Sequence, residues 1–309
     1  MRIVYMGTPD IAVPAMESLI EAGHDVVAAV TQPDRAQGRH KELVASPVKE
    51  AALAHGIEVL QPEKARDAAF IDLLRGINPD LIVVMAYGQI LTKELLDVPR
   101  LGCINIHASL LPRYRGAAPI SAVILAGESQ TGVTTMYMDE GLDTGDMLLK
   151  AVIDIAPDET TDTLEKKVAS VGGELITETL RQLEAGTLTR IKQDDSQANY
   201  IRMIKKEEGH INWSEDAAAI ERRIRAFYPW PGTFALHNGS RIKIYGAKVT
   251  SDSASEAPGT VAETGEGGIT VACGNGSLII TDLQAEGKKR MNAADFLRGY
   301  KLCKGDILG

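Results

Sequence analysis

Short apolar runs alternate with amphipathic segments through the first half of the chain. Arg2–Met6 and Asp25–Thr31 have the continuous apolar character of buried strands, and Ala12–Ala22 between them has helical spacing and ends at Gly23. A strand, a helix and a strand in this order predict two parallel strands joined by a crossover. We therefore predict an α/β fold with a Rossmann-like, mostly parallel sheet.

The alternation continues to residue 186. Leu81–Ala86 and Cys103–His107 are predicted as further buried strands of the same sheet. A dinucleotide-binding sheet would carry three spaced glycines at its first turn, and only Gly7 is present there, which disfavours a nicotinamide-dependent oxidoreductase. The other predicted elements of this half are Pro47–His55, Ile57–Leu60, Asp67–Gly76, Ala117–Ala126, Gly132–Met138, Met147–Ile155 and Asp162–Glu184.

The pattern changes after this half. A polar stretch without periodicity is followed by a predicted helix, Glu215–Phe227, and then by short strand signals separated by Gly, Asn and Pro. Such strands predict a small β-sandwich or barrel. We divide the chain into an α/β domain at 1–188, a linker at 189–207 and a β-barrel domain at 208–309.

Composition and charge narrow the possible functions. The 309 residues are 44% hydrophobic and 24% charged, as in ordinary globular proteins. A net charge of −9 argues against a nucleic-acid binder that uses its whole surface, though a local basic patch is compatible with it. Three widely spaced cysteines offer neither a disulfide framework nor a zinc site. The first apolar run is too short for a signal peptide, so we expect a cytoplasmic protein.

Polar side chains interrupt one of the predicted strands. Asn105 and His107 alternate with isoleucines in Cys103–His107, and they share one face because side chains alternate along a strand. Downstream, Met138–Asp146 is a glycine-containing loop that offers the carboxylate of Asp143. An amide and an imidazole at the end of a strand can bind and protonate a carbonyl oxygen. By itself this pattern also fits a structural histidine and a loop of turn-forming aspartates.

The two motifs together resemble a known family. The residues N-I-H-A-S-L-L-P-R-Y-R-G-A-A-P-I followed by G-L-D-T-G-D are similar to those of the N10-formyltetrahydrofolate-dependent formyltransferases. The resemblance covers nearly the whole chain and includes M-G-T-P-D, T-Q-P-D-R, V-V-M-A-Y-G-Q-I-L, K-K-E-E-G-H-I-N-W and R-A-F-Y-P-W-P-G-T. The length, the linker and the β-rich segment resemble the tRNA-directed members rather than the single-domain purine-pathway enzyme.

The resemblance implies the chemistry and its residues. It implies that 10-formyltetrahydrofolate gives its formyl group to the α-amine of methionine on initiator methionyl-tRNA, in translation initiation. We expect the enzyme to need no metal and to be a monomer. Asn105, His107 and Asp143 are the catalytic residues that the resemblance implies. It also implies an OB-like C-terminal barrel and a folate site formed by Ser109, Leu110, Leu111 and Pro112, with backbone from Gln89, Ile90 and the Asp139–Asp143 loop.

The residue types agree with this chemistry. Attack by an amine places negative charge on the formyl oxygen, which the amide of Asn105 and a protonated His107 can stabilise as an oxyanion hole does. Asp143 beside His107 would orient the ring and favour its charged form. Asp143 could also take the proton that the amine loses, directly or through a water.

Binding tRNA at this net charge requires local clusters of cations. We expect contacts from Arg39 and Lys41 in the loop after the second strand, and from Lys205 and Lys206 in the linker. Each cluster is also compatible with an ordinary solvated face. The first loop departs from the usual family pattern, which is close to G-R-G-K-K-L, because Gly38–Leu43 here is G-R-H-K-E-L. Further candidates are Arg35, Arg222, Arg223, Arg225 and Lys288–Arg290.

Two other functions are compatible with parts of the pattern. A formyltransferase acting on the amine of a sugar nucleotide would use the same three catalytic residues but would not need a tRNA surface. A non-catalytic RNA-binding module would rely on the β-rich segment, but the acidic balance and the 5% aromatic content argue against it.

Overall fold

The computed structural model describes residues 1–37, 42–250 and 255–309. These residues form two compact units. The first contains Met1–Pro119, Gln130–Asp154 and Glu165–Ile201, and the second contains Ile120–Ser129, Ile155–Leu164 and Arg202–Gly309. The division of the chain into 1–188, 189–207 and 208–309 stays a prediction of functional domains.

The helices and strands follow each other in an α/β order and then in a β-rich order. The elements up to residue 201 are β1 Arg2–Gly7, α1 Val13–Glu21, β2 Asp25–Val30, β3 Arg35–Gln37, β4 Glu42–Val44, α2 Pro47–Ala54, β5 Glu58–Leu60, α3 Ala68–Ile77, β6 Leu81–Met85, α4 Lys93–Leu96, β7 Cys103–His107, β8 Arg115–Gly116, α5 Pro119–Ala126, β9 Gln130–Tyr137, β10 Met147–Asp154, α6 Thr161–Glu184 and β11 Tyr200–Ile201. The remainder are α7 Ala217–Ala226, β12 Thr233–His237, β13 Ser240–Thr250, β14 Val261–Gly265, β15 Gly268–Ala272, β16 Ser277–Ala285, β17 Met291–Asn292 and α8 Ala293–Gly299.

A seven-stranded sheet organises the first unit. Its order is β10-β9-β7-β6-β1-β2-β5, in which β7, β6, β1, β2 and β5 run parallel and β9 is antiparallel to both of its neighbours, β7 and β10. The order reverses at β1, which has β2 on one side and β6 on the other. The predicted Rossmann-like, mostly parallel sheet is confirmed, and ligands of such sheets bind beyond the carboxyl ends of the strands.

The two faces of β7 have different neighbours. A Cβ added to Gly172 of α6 would lie 3.2 Å from Cγ2 of Ile106, so this isoleucine faces the helix. Asn105 and His107 therefore lie on the opposite face, together with Cys103. Cys103 belongs to the buried cluster that also contains Val84 of β6. Core residues therefore pack against both faces of this strand. On the second face, the polar side chains of Asn105 and His107 follow Cys103 toward the carboxyl end.

An antiparallel sheet organises the second unit. Its order is β12-β13-β16-β15-β14, with β17 also paired to β16. The residues after 304 join the two outer strands. Leu236 of β12 exchanges two backbone hydrogen bonds with Gly309, and Val261 of β14 accepts one from Gly305. The sheet is thereby closed, in agreement with the predicted small barrel, and it surrounds a hydrophobic core that includes Ile244, Val271 and Phe296.

The polar segment predicted as a linker makes regular contacts within the first unit. Ile191 and Met147 exchange two backbone hydrogen bonds, and β11 runs parallel to β8. A Cβ added to Gly116 of β8 would lie 2.3 Å from the carbonyl oxygen of Ile201, and this glycine has φ +106°. The close approach of β8 and β11 therefore requires glycine at position 116.

Candidate active site

Two strands flank β7 and fix the backbone of the predicted catalytic residues. Asn105 pairs with Val84 of β6 on one side and with Met136 of β9 on the other. The Asn105 side chain is half-buried and makes no hydrogen bond or ion pair with any residue that the structure describes. Its amide is free to bind a ligand at the carboxyl end of the strand.

The ring of His107 is buried, and both of its nitrogens face acceptor oxygens. Nε2 lies 3.0 Å from the carbonyl oxygen of Tyr114, and Nδ1 lies 3.6 Å from Oδ1 of Asp143. A carbonyl oxygen only accepts, so Nε2 carries a proton and donates it to this bond. Nδ1 is the ring nitrogen left without a carbonyl partner, and it points toward the carboxylate.

Asp143 is held by both its side chain and its backbone. Its Oδ2 accepts a hydrogen bond of 2.8 Å from the backbone N–H of Gly116, which leaves Oδ1 toward His107. Its backbone has φ +55°, a left-handed conformation that is uncommon for residues other than glycine. One carboxylate oxygen is thus held by a backbone N–H, and the other faces the imidazole.

The neighbouring aspartate Asp139 has a structural role. Its Oδ1 accepts hydrogen bonds from the Gly141 N–H at 3.0 Å and from the Thr144 hydroxyl at 2.6 Å. These bonds close a tight turn inside the Met138–Asp146 loop. The two aspartates, which the sequence pattern could not distinguish, therefore have different surroundings, and only Asp143 faces the imidazole.

The predicted folate segment is closely tied to the sheet. The Ser109 hydroxyl donates to the Arg113 carbonyl at 2.7 Å, and the Leu111 side chain is 1% exposed. The Leu111 carbonyl accepts a bond of 2.5 Å from Nζ of Lys150. Contacts of Ser109 and Leu111 with a ligand would therefore come from their backbone, whereas the side chains of Leu110 and Pro112 are half-buried and reach the surface.

The second predicted folate segment follows β6. The side chain of Gln89 is used within the fold, since its Oε1 accepts from the Ala65 N–H at 2.7 Å. Ile90, in contrast, is 85% exposed. An apolar side chain this exposed at the carboxyl end of a parallel strand is available for contact with a ligand.

A cavity of about 960 Å³ lies beside the Met138–Asp146 loop. Its lining includes Leu96, Cys103, Met138, Gly141 and Arg190. Burial, with a smaller effect of Asp97, raises the pKa of the Cys103 thiol to about 12, so this thiol is neutral at physiological pH, whereas Asp97 and Arg190 place charged groups in the same lining. The size is that of a small-molecule site. The sequence patterns did not predict the cavity because its walls come from four separate parts of the chain.

The positions predicted to contact tRNA are less constrained. Lys205 and Lys206 are exposed. Arg39 and Lys41 lie outside the described residues. Other predicted cations have partners, because Arg223 pairs with Glu215, Arg225 with Glu221 and Arg290 with Asp282. Within the described residues, no group of His, Cys, Asp and Glu is arranged to hold a metal ion, and no helix has both the length and the apolar character for a membrane crossing.

Three groups near the site were missed at the level of sequence. They are the carbonyl of Tyr114, the N–H of Gly116 and the side chain of Gln193, which donates to the carbonyl oxygens of Asp143 and Gly145 at 2.8 Å each. Two are backbone groups that any residue would supply. The third lies in a segment without periodicity. No sequence pattern used above could have indicated them.

Comparison with known proteins gives consistent matches over both units. A family model described as formyl transferase matches residues 1–180, and one described as formyl transferase, C-terminal domain, matches residues 203–301. The methionyl-tRNA formyltransferase of Citrifermentans bemidjiense is 54% identical over 309 residues, covering 100% of this chain and 96% of the relative. That of Geotalea uraniireducens is 51% identical, covering 100% and 98%.

Solved structures have the same fold. WlaRD, a sugar 3N-formyl transferase solved with dTDP and 5-N-formyl-THF, aligns with a TM-score of 0.70 at 21% identity, covering 94% of this chain and 99% of that one. HypX from Aquifex aeolicus in complex with tetrahydrofolic acid aligns with a TM-score of 0.63 at 16% identity, covering 99% and 50%. At these identities the likeness shows the fold alone.

Proposed function

We propose the function of this chain from its family, because the chain belongs to the formyl transferases. It transfers a formyl group from 10-formyltetrahydrofolate to the α-amino group of methionine on initiator methionyl-tRNA, giving formylmethionyl-tRNA for translation initiation. The observation that carries this conclusion is full-length identity of 54% and 51% to relatives named methionyl-tRNA formyltransferase.

Asn105 and His107 are proposed to bind the formyl oxygen. The amine adds to the formyl carbon, and the carbonyl oxygen acquires negative charge. The free amide of Asn105 and a proton on Nδ1 of His107 would both stabilise that charge. The hydrogen bond from Nε2 to the Tyr114 carbonyl supports this role, because it keeps the other nitrogen available for the reaction.

Asp143 is proposed to orient His107 and to accept the proton that the attacking amine loses. Its separation of 3.6 Å from Nδ1 supports an ion pair when that nitrogen is protonated. As the tetrahedral intermediate forms, the attacking nitrogen must lose a proton, and Asp143 can accept it directly or through a water. Collapse of the intermediate breaks the bond to N10 of the folate, which takes up a proton as it leaves.

The folate is proposed to lie between the turn at Ser109–Pro112 and the Asp139–Asp143 loop, with Gln89 and Ile90 adding contacts. The cavity lined by Met138 and Gly141 supports only the loop side of this placement, because its lining includes Asp139 but neither Ser109–Pro112 nor Gln89 and Ile90. The exposed side chain of Ile90 supports an apolar contact with the same ligand.

The tRNA is proposed to bind through Arg39, Lys41, Lys205 and Lys206 and through the C-terminal domain. The functional domains proposed are the catalytic range 1–188, the linker 189–207 and the tRNA-binding range 208–309. Family matches that end at residue 180 and begin again at residue 203 support this division.

We further propose a cytoplasmic monomer, and size-exclusion chromatography with light scattering tests the oligomeric state.

A single acceptor comparison tests the function. The enzyme is incubated with 10-formyltetrahydrofolate and charged initiator tRNA, charged elongator methionyl-tRNA or a dTDP-linked amino sugar, and products are identified by mass spectrometry. We expect formylation of the initiator tRNA at a rate at least about tenfold above that of the elongator. Formylation of the amino sugar alone would contradict the proposed acceptor while retaining the family chemistry.

A further inference from the structure

The side chain of Gln193 binds the backbone of the loop that carries Asp143. Its Nε2 donates to the carbonyl oxygen of Asp143 and to that of Gly145, each at 2.8 Å. The two bonds therefore hold the peptide groups that follow Asp143 and Gly145. A Cβ at Gly145 would lie 1.9 Å from the carbonyl oxygen of Tyr137, so the loop here is pressed against β9. The loop is therefore held here both by its contact with β9 and by the amide of Gln193.

A buried guanidinium fixes the orientation of this amide. Oε1 of Gln193 accepts from Nε of Arg115 at 3.0 Å and from its Nη2 at 2.8 Å. Arg115 is 1% exposed and also donates to Asp195 and Tyr200. Because arginine has no acceptor, the oxygen of Gln193 must face it and the nitrogen must face the two carbonyls.

The same segment reaches the partners of both catalytic side chains. Asn199 accepts from the Tyr114 N–H through its side chain and from the Arg115 N–H through its carbonyl. Tyr114 supplies the carbonyl that binds His107, and Gly116 supplies the N–H that binds Asp143. The segment around Gln193 thus supports the backbone groups that orient the imidazole and the carboxylate.

We propose that Gln193, anchored by Arg115, is a positioning residue that holds Asp143 against His107. This rests on the proposed catalytic role of Asp143. A residue other than glycine at φ +55° persists where its surroundings fix it. The two carbonyl contacts supply that restraint. Gln193 acts through Asp143, touches no reacting atom, and sets the geometry in which the carboxylate meets Nδ1.

A substitution that introduces a charge at Gln193 can disrupt the contacts made by its nitrogen while keeping those made by its oxygen. In Gln193→Glu, the carboxylate still accepts from Arg115, but an oxygen replaces the nitrogen that faces the two carbonyls and repels them. Gln193→Met removes both contacts without adding charge. Gln197→Glu is the matched control, because Gln197 is exposed and donates to Asp194 at 2.8 Å, away from the loop.

The decisive measurement is a double-mutant cycle with Asp143→Asn in steady-state formyl transfer to charged initiator tRNA. We expect Gln193→Glu to lower kcat roughly 10- to 100-fold, with KM for the folate within about threefold and the melting temperature close to that of the control. In the Asp143→Asn background the same change should lower kcat less than about twofold, because its effect passes through Asp143.

Two results would overturn the positioning role. One is a kcat of Gln193→Glu within about twofold of the unmodified enzyme, and the other is an equal penalty in both backgrounds, as a purely structural effect would give. If Gln193→Glu does not fold, the cycle with Gln193→Met decides the question by the same criteria. If Asp143→Asn itself retains full kcat, the proposed role of Asp143 is wrong, whereas an impaired Asp143→Asn beside a normal Gln193→Glu rejects the positioning role alone.

Discussion

The Met138–Asp146 loop and the Lys205–Lys206 pair differ in how much the protein itself holds them. The loop is tied by Asp139 internally, by Gly116 through Asp143, and by Gln193 from outside. The two lysines are exposed, and Lys205 donates to the Glu208 carboxylate through its backbone N–H rather than through its ammonium group.

The difference matches the two kinds of work that the proposed function requires. Groups that stabilise a developing charge must be in place before reaction, since reorganisation at that moment costs free energy. Cations that meet a phosphate backbone need proximity more than a fixed geometry, and their effect is screened by salt. We therefore expect the proposed catalytic groups to be fixed in advance and the proposed nucleic-acid contacts to remain adjustable.

The largest effect is expected at the two strand residues. His107→Ala and Asn105→Ala should each lower kcat about 10²- to 10³-fold, because each removes one donor to the formyl oxygen. The Kd for initiator tRNA, measured by filter binding, should change less than about threefold. Near-normal turnover of both variants would mean that Asn105 and His107 are not required for formyl transfer.

A carboxylate replacement in the loop should come next. Asp143→Asn keeps an oxygen that can accept from the Gly116 N–H but removes the charge that faces His107. We expect kcat to fall about 10²-fold, as for loss of an acid–base group, with little change in melting temperature. Single-turnover kinetics separate this effect from product release. An unchanged rate constant for the chemical step would exclude Asp143 from proton transfer.

A substitution at the close approach of β8 to β11 should lower the stability of the fold more than the rate of formyl transfer. Gly116→Ala meets the Ile201 carbonyl and a positive φ, so we expect a loss of about 2 kcal/mol, or several degrees in melting temperature. Gly186→Ala is the control, because its φ is +68° and a Cβ there has nothing within 4 Å. An equal loss in both variants would show that the collision with Ile201 contributes nothing.

The smallest effect on turnover is expected at the exposed lysines. Lys205→Ala combined with Lys206→Ala should leave kcat within about twofold and raise KM for tRNA. The slope of log affinity against log salt should become shallower by about one for each phosphate that is no longer neutralised by a lysine. An unchanged slope would place the tRNA-binding cations elsewhere on the surface.

The regular parts of the fold were predictable from sequence because they depend on periodicity. Cys103–His107 was predicted with the bounds observed, and the long helix ending at Glu184 was displaced by one residue at its start. Buried strands and amphipathic helices carry their own signal in the spacing of apolar residues. The mostly parallel sheet and the small barrel followed from the order of these elements.

The irregular contacts were not predictable in the same way. Two-residue strands such as β8 and β11 are too short to show a period, and their pairing joins Arg115 to Tyr200 across a long stretch of sequence. The motif and its family likeness indicated Asn105, His107 and Asp143 as candidates, and those roles stay predictions. The Tyr114 carbonyl and the Gln193 amide depend on backbone path and tertiary placement, which one sequence does not display.

Closure of the barrel by residues 305–309 bears on how the chain is made. These residues are synthesised after both of their partners, Leu236 and Val261, and the pairing requires two distant segments to be in place first. Until then, a nascent chain presents the outer edges of β12 and β14 without the segment that closes them, and unpaired edges are sites of aggregation. The second unit therefore passes through an edge-exposed stage during synthesis, when chaperones would have most effect on its yield.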